Sequence, residues 1–248
     1  MPREISSLQH PIVKYLTKLR KSRDFRRAQN RVLVAGKKII VELARDFPLK
    51  TLIVERGAPP LEVSSDEIFA VTPAILKKIT ALEQPEPYAA EIALPARGTL
   101  SGKKFLLALD GVSDPGNLGT LIRSALALGW EGVFLTLGSA DPFSEKALRA
   151  AKGATFYLPI VEGSNEDLAK LIAKEKLSVL LADMDGKNVE DEKITPPIIL
   201  VLGGEAQGIK FAARDATTVS IPLAEKSESL NVAIAGGILM YLLRRHYE

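Results

Sequence analysis

Five short apolar runs alternate with helical segments in the second part of the sequence, and this alternation constrains the fold more than any other feature. The predicted strands lie at 105–109, 132–137, 178–183, 198–202 and 217–221. The predicted helices lie at 117–128, 143–151, 165–175 and 229–245. Apolar strands separated by helices form mainly parallel sheets with helices on both faces. We therefore predict an α/β fold whose ligands bind at the carboxyl ends of the strands.

Residues 1–95 predict a smaller α/β domain that begins with a basic helix. Over 9–29, apolar side chains fall on one helical face and Lys or Arg cover the rest. Further strands are predicted at 32–35, 51–54, 68–71 and 88–94, and helices at 37–45 and 73–80. A polar segment that follows Pro95 and contains two glycines, residues 96–103, is the predicted linker to a second domain at 104–248.

The positive charge is concentrated at the start of the chain. Residues 1–50 contain 13 Lys and Arg against four Asp and Glu, although the net charge of the whole chain is only +3. A basic segment of this kind favours a polyanionic partner, with a solvent-exposed helix face as the alternative. The candidate contacts to such a partner are Lys14, Lys18, Arg20, Lys21, Arg23, Arg26 and Arg27.

The composition excludes several kinds of chemistry. The sequence contains no cysteine, and its two histidines, His10 and His246, lie near opposite ends. Disulfides and thiolate catalysis are therefore excluded, and neither a Ser-His-Asp triad nor a metal site is expected. No apolar run approaches the roughly 18 residues of a membrane span, and no signal-peptide core follows Met1. We expect a cytoplasmic protein without membrane contact.

The segment Asp110–Arg123 has the pattern of a strand end, a sharp turn and a helix start. Helix N-termini bind ligands through backbone N–H groups that have no partner within the helix. The spacing of Gly111 and Gly116 suggests half of a P-loop, but Asn117 and Leu118 stand where Lys and Ser or Thr are needed. Nucleoside triphosphate binding is therefore not predicted.

Two more loops follow strands of the same predicted sheet. Gly203–Gly208 contains three glycines, which either let the backbone approach a ligand or simply form a tight turn. A dinucleotide fingerprint is excluded because Glu205 replaces its second glycine. In the third loop Ser229 is a candidate helix N-cap. Capping does not explain Asn231, whose amide needs partners of its own.

Three ordered motifs in these loops resemble those of the SpoU (TrmH-type) RNA ribose 2′-O-methyltransferases, which belong to the SPOUT class. The motifs are Asp114–Arg123, Leu202–Ile209 and Ile221–Val232, and residues 1–95 are similar, more loosely, to an L30e-like substrate-binding domain. The resemblance implies a parallel sheet with a trefoil knot, a homodimer formed through the C-terminal domains, and S-adenosylmethionine as cofactor. Ala206 and Leu223 depart from a glycine and a methionine that are common in the family.

The resemblance also assigns site residues. Those of the active site are Asn117, Arg123, Glu205, Ser229 and Asn231. Those against the cofactor are Gly203, Ile221 and Leu230, with Leu181 and Met184 on its adenosine side. Arg123 is expected to meet a phosphate and the 2′-hydroxyl of the target nucleotide. Positioning and electrostatic stabilisation are its expected roles, and proton removal stays open because the pKa of arginine is about 12.5 or above.

The predicted function is methylation of a ribose 2′-hydroxyl in structured RNA, with the basic first domain selecting the RNA. Ribosomal RNA is expected rather than transfer RNA, because an added L30e-like domain resembles the rRNA-directed members. The alternatives are a tRNA-directed 2′-O-methyltransferase and an RNA-binding ribosome assembly factor that keeps the fold without catalysis. The intact Asn117, Arg123, Ser229 and Asn231 argue against the assembly factor.

Overall fold

The computed structural model describes residues 2–96, 98–205, 207–213, 215–224 and 229–245. Met1, Ala206 and His246 lie outside these ranges. The chain divides into two compact units, residues 1–95 with 143–153 and residues 96–142 with 154–248. The boundary predicted at 96–103 would assign residues 143–153 to the second domain, whereas the structure groups them with residues 1–95. None of the described helices is long and apolar enough to cross a membrane.

The first unit is built on a five-stranded mixed sheet. Its elements are β1 (Arg3–Ile5), α1 (Pro11–Lys21), α2 (Arg23–Gln29), β2 (Arg31–Ala35), α3 (Lys37–Leu43), β3 (Leu49–Glu55), β4 (Ser65–Val71), α4 (Pro73–Thr80), β5 (Tyr88–Ala93) and α6 (Glu145–Ala151). The strand order is β1-β4-β3-β5-β2, with β1, β4 and β3 parallel and β5 antiparallel to both of its neighbours. The strand β1 was not predicted.

The basic segment at 9–29 forms two helices, so the prediction of a single helix was wrong. The break is at Ser22, whose backbone is extended, with φ −113° and ψ 117°. Its hydroxyl accepts a hydrogen bond from the backbone N–H of Phe25 at 3.1 Å. Serine is a strong N-cap residue, so its side chain starts a second helix where the first one ends. Val13, Leu16 and Leu19 of α1 pack into the core of this unit.

A buried carboxylate, Glu91 on β5, ties α1 to the sheet. Glu91 is 4% exposed. Its two oxygens accept hydrogen bonds from the hydroxyls of Tyr15 and Thr51, each at 2.7 Å. Burial raises the pKa of Tyr15, and the hydrogen bond to Glu91 raises it further. Both oxygens therefore have a donor, as a buried carboxylate requires.

The second unit contains a six-stranded sheet in which every strand is parallel to its neighbours. Its elements are β6 (Phe105–Asp110), α5 (Pro115–Ala127), β7 (Gly132–Thr136), α7 (Ala154–Tyr157), β8 (Ile160–Gly163), α8 (Asn165–Glu175), β9 (Ser178–Asn188), a 3₁₀ helix (Val189–Asp191), β10 (Ile198–Gly203), β11 (Thr217–Ser220) and α9 (Val232–Arg245). The five predicted strands are present, and the predicted parallel α/β fold is confirmed. The short β8 was missed.

The strand order of this sheet is β11-β9-β10-β6-β7-β8. All strands are parallel, but the direction in which the chain adds new strands to the sheet reverses at β6. The chain runs outward from β6 to β8, then places β9 on the other side and inserts β10 between β9 and β6. In open parallel sheets a crevice forms at such a reversal, outside the carboxyl ends of the strands. Gly203 pairs with Asp110, so β10 and β6 end at the same level. The trefoil knot stays a prediction.

Candidate active site

A cleft of about 280 Å³ lies at the carboxyl ends of β10 and β11 and beside the middle of β9, at residues 182–184. Its wall is mainly apolar and includes the side chains of Leu202, Val219, Ile221, Leu223, Leu230 and Leu239. Two carboxylate residues, Asp183 and Glu205, also line it. An apolar cleft with a few polar groups is the usual form of a small-molecule site.

Most residues predicted to contact a cofactor line this cleft. Gly203, Ile221, Leu230 and Met184 are among its lining residues, but Leu181 is not. Leu181 packs against the hydrophobic core that contains Val179 and Val201. Side chains on a strand alternate between the two faces of the sheet, so Leu181 shares the face of Val179.

One wall of the cleft was missed by the sequence analysis. Val232, Ala235 and Leu239 of α9 contribute to the lining. Their spacing of three and four residues places them on one face of the helix. This periodicity is visible in the sequence, but a helix face of this kind is more often core, so it does not by itself indicate a ligand.

Gly203, which ends β10, and Gly204, which follows it, allow a close approach between backbone segments. A Cβ at Gly203 would collide with the backbone of Gly208, and a Cβ at Gly204 would collide with the carbonyl of Gly111. The backbone N–H of Gly208 donates to the carbonyl of Gly204 at 2.9 Å, which closes the turn. The described contacts at these two glycines are therefore with the protein's own backbone.

The three motifs meet in a cluster of hydrogen bonds formed by Asn117, Glu205 and Asn231. Nδ2 of Asn117 donates to Oε1 of Glu205 at 2.5 Å. Nδ2 of Asn231 lies 3.2 Å from the same oxygen and 3.2 Å from Oδ1 of Asn117. Each side chain therefore contacts both of the others, and Glu205 belongs to the cleft as well as to this Asn117–Glu205–Asn231 cluster.

Helix starts hold the two asparagines in place. Asp114 caps α5 by accepting a hydrogen bond from the backbone N–H of Asn117 at 2.8 Å, and Pro115 occupies the first turn. At α9, Oδ1 of Asn231 accepts from the backbone N–H of Ala233 at 2.9 Å. Asn231 is therefore the cap of α9. The alternative in which Ser229 caps this helix was wrong.

Ser229 and Arg123 are not part of this cluster. Ser229 is exposed and lines the cleft, without a hydrogen bond to any residue that the structure describes. Arg123 is exposed on α5 and makes no hydrogen bond or ion pair within the described ranges. It lies roughly 9 Å farther along the helix axis than Asn117, at 1.5 Å per residue. The structure therefore brings together three of the five predicted active-site residues.

The seven basic residues predicted to bind RNA differ in exposure. Lys14, Lys18, Lys21 and Arg27 are exposed, and Arg20 and Arg23 are partly buried. Arg26 is 3% exposed, and its Nη1 donates to the carbonyl oxygens of Leu19 and Arg20 at 2.8 and 2.7 Å. These bonds satisfy carbonyl groups near the end of α1. The environment of Arg26 is therefore that of a structural residue, in contrast to the predicted RNA contact.

Comparison with known proteins identifies the family. The pattern of the SpoU rRNA Methylase family matches residues 104–241, more than half of the chain. The chain belongs to this family. Residues 10–90 match the MRM3-like substrate binding domain. The 23S rRNA (guanosine(2553)-2′-O)-methyltransferase RlmP of Bacillus subtilis is 30% identical over 98% of this chain and 99% of its own length.

Solved structures of the family have the same fold as this SpoU protein. The SpoU methyltransferase AviRb from Streptomyces viridochromogenes, in complex with AdoMet, has a TM-score of 0.85 at 27% identity, covering 96% of this chain and 98% of its own. An AdoMet-bound rRNA methyltransferase from Sinorhizobium meliloti has a TM-score of 0.84 at 28% identity, covering 99% and 98%. The family, the enzyme class and S-adenosylmethionine as cofactor, as the three motifs imply them, are thus confirmed.

Proposed function

We propose that this SpoU protein transfers a methyl group from S-adenosylmethionine to a ribose 2′-hydroxyl of ribosomal RNA. The observation that carries the proposal is the meeting of all three motifs in the Asn117–Glu205–Asn231 cluster, with Glu205 also lining the cleft. A non-catalytic assembly factor would have no need of this arrangement beside a cleft for a small molecule.

The cleft suits S-adenosylmethionine in shape and charge. Its apolar walls fit the adenine and the methionine carbons, with Ile221, Leu230 and Met184 as the proposed contacts. The carboxylates of Asp183 and Glu205 favour a ligand that carries positive charge. When bound, the cofactor supplies an electrophilic methyl group on a positively charged sulfur.

We assign the remaining roles to the chain's own polar groups. The amides of Asn117 and Asn231 hold Oε1 of Glu205, while Oε2 makes no hydrogen bond with a described residue and is available to accept one. The exposed Arg123 is proposed to bind the phosphate of the target nucleotide, since its guanidinium matches phosphate geometry. Ser229 is proposed to hold the cofactor from the cleft wall.

The first unit is proposed to select the RNA through its exposed basic residues. Lys14, Lys18, Lys21 and Arg27 are exposed on α1 and α2, and cationic side chains bind RNA by neutralising phosphates. Ribosomal RNA is favoured because the rRNA methyltransferase relatives match this unit as well as the second one. A structure concerned with methylation of C/U34 on tRNA covers only 57% of this chain.

A homodimer through the second unit is also proposed. The large apolar side chains of Leu126 on α5 and of Ile234 and Tyr241 on α9 are 38%, 55% and 52% exposed. These two helices pack against each other within the unit. An exposed apolar face of this kind favours association with a second copy. A cytoplasmic location and catalysis without a metal ion stay predictions.

The experiment that tests the activity uses the purified protein, labelled S-adenosylmethionine, and 23S rRNA, 16S rRNA or bulk tRNA. Label is expected in ribosomal RNA as a methyl group that protects one phosphodiester bond from alkaline hydrolysis. Label only in tRNA would favour the tRNA-directed alternative. No label in any RNA, with intact binding of RNA, would support the assembly factor instead. Mapping 2′-O-methylation in cells with and without the protein then identifies the nucleotide.

A further inference from the structure

Asp110, the last residue of β6, is a buried carboxylate with no role in the proposed mechanism. It is 3% exposed. Oδ1 accepts a hydrogen bond from the hydroxyl of Thr136 at 2.8 Å. Oδ2 accepts two, from the backbone N–H groups of Lys210 at 2.6 Å and Phe211 at 2.7 Å. Three donors therefore compensate the burial of the charge, which would otherwise be costly.

Asp110 also binds the loop that carries Glu205 at two points, one before Glu205 in the chain and one after it. Before Glu205, the backbone N–H of Gly204 donates to the carbonyl oxygen of Asp110 at 3.0 Å. After Glu205, the chain returns to the Asp110 carboxylate at Lys210 and Phe211. The backbone on either side of Glu205 is thus attached to one residue of the neighbouring strand.

We propose that Asp110 is a positioning residue for methyl transfer, because it fixes the backbone from which Glu205 extends into the cleft. Gly203 and Gly204, which precede Glu205, have no side chains with which to anchor the loop. Thr136 orients the carboxylate and also accepts a hydrogen bond from the backbone N–H of Gly111 at 3.0 Å. Misplacement of a reacting group by about 1 Å can lower a rate roughly 100-fold.

Asp110→Asn is the informative substitution because it preserves the shape of the side chain. The amide keeps an oxygen for the two backbone N–H groups and presents Nδ2 to the Thr136 hydroxyl, but it removes the negative charge that strengthens these bonds. The matched control is Glu91→Gln in the first unit. It makes the same chemical change in a carboxylate that is 4% exposed and accepts hydrogen bonds from two hydroxyls.

The test combines hydrogen exchange, thermal unfolding and methyl transfer at saturating RNA and S-adenosylmethionine. In Asp110→Asn we expect amide exchange over residues 203–211 to quicken about tenfold and the methyl-transfer rate to fall about 10- to 100-fold. Both substitutions are expected to lower the unfolding midpoint by similar amounts. In Glu91→Gln, however, amide exchange over 203–211 and the methyl-transfer rate are expected to stay unchanged. Equal losses of rate in both variants, or no change in exchange for Asp110→Asn, would overturn the proposal.

A double variant tests whether Asp110 acts through Glu205. If it does, adding Asp110→Asn to Glu205→Gln lowers the rate by less than about twofold, because the two changes affect one group. Losses that multiply would show that Asp110 acts by another route and would refute the proposal. The rate measurements rest on the proposed function, whereas hydrogen exchange does not. Absence of methyl transfer in the unsubstituted protein would therefore refute the function, and exchange over 203–211 would still decide whether Asp110 fixes the loop.

Discussion

Asn231 and Glu205 lie 26 residues apart in the chain, yet Nδ2 of Asn231 is 3.2 Å from Oε1 of Glu205. The oxygen of the same side chain, Oδ1, caps α9 by accepting a hydrogen bond from the backbone N–H of Ala233. One asparagine thus joins the start of the last helix to the acidic residue of the cleft. Because Nδ2 contacts Glu205 and Oδ1 caps α9, a substitution that removes only the nitrogen separates the two roles of Asn231.

Asn231→Asp is expected to lower methyl transfer about 100-fold while leaving stability nearly unchanged. An aspartate still caps α9 through Oδ1. It removes the Nδ2 donor, however, and places a second carboxylate against Glu205. Single-turnover methyl transfer and thermal unfolding measure the two effects. Asn188→Asp is the matched control, because Asn188 caps the 3₁₀ helix through Oδ1 and lies outside the cleft lining. Wild-type activity in Asn231→Asp would refute a role for the cluster in catalysis.

Arg123→Ala is expected to abolish methyl transfer and to leave the affinity for S-adenosylmethionine nearly intact. The reason is that Arg123 is exposed on α5 and does not line the cleft. Arg123→Lys keeps the charge but loses the paired donors of the guanidinium, so partial activity is expected. Calorimetry gives the cofactor affinity, and label incorporation gives the activity. A large loss of cofactor affinity in Arg123→Ala would show that the phosphate role is wrong.

The double variant Lys14→Ala/Lys21→Ala is expected to weaken RNA binding and to flatten its salt dependence. Each lysine that neutralises a phosphate contributes about one unit to the slope of log affinity against log salt. The unfolding midpoint should stay unchanged, because both side chains are exposed. Filter binding from low to high salt measures the slope. A slope equal to that of the wild type would remove these residues from the RNA surface.

Arg26→Ala is expected to lower stability and to leave the salt dependence of RNA binding unchanged, which is the opposite of the result expected for the two lysines. It leaves the carbonyl groups of Leu19 and Arg20 without the buried donor, which costs about 1 to 3 kcal/mol of unfolding free energy. At temperatures where the variant is folded, the salt slope of RNA binding should stay at the wild-type value. Chemical denaturation and filter binding separate the two effects. A lower slope with unchanged stability would restore Arg26 as an RNA contact.

Gly237→Glu is expected to convert a dimer into a monomer. Gly237 lies on α9 between Ile234 and Tyr241, and among the described residues a Cβ built there meets nothing within 4 Å beyond its chain neighbours and the adjacent backbone of α9. A side chain at this position is therefore tolerated by one protomer but would be buried with its charge if a second copy covered this face. Sedimentation at micromolar concentration tests the prediction, with Gly237→Ala as the smaller substitution. A wild-type protein that sediments as a monomer would refute the proposed homodimer.

The sequence predicted the elements of the second unit well because their signals are local. The apolar run at 198–202 became β10, and the helix predicted at 165–175 coincides with α8, which starts at a capping box of Ser164 and Asp167. The break at Ser22 and the burial of Arg26 were not predictable in the same way. Both depend on how two helices meet, which charge and periodicity do not specify.

The motifs identified Asn117, Glu205 and Asn231, but no sequence feature showed that their side chains contact one another. Nor did the pattern distinguish Arg123, which stays apart from the cluster, from the residues that form it. The anchoring by Asp110 was equally hidden, because its partners are backbone N–H groups 100 and 101 residues away. Contacts of this kind come from the strand order, in which β10 lies next to β6.

The bond between Asn117 and Asn231 spans 114 residues, and Asn231 caps the last helix of the described chain. During synthesis, all of β6 to β11 therefore precede the element that completes the cluster. A nascent chain can fold its first unit and most of the parallel sheet before it contains a complete cluster. We expect catalytic competence to appear only after α9 has been synthesised and has packed, so that a nascent chain that still lacks α9 would not modify RNA.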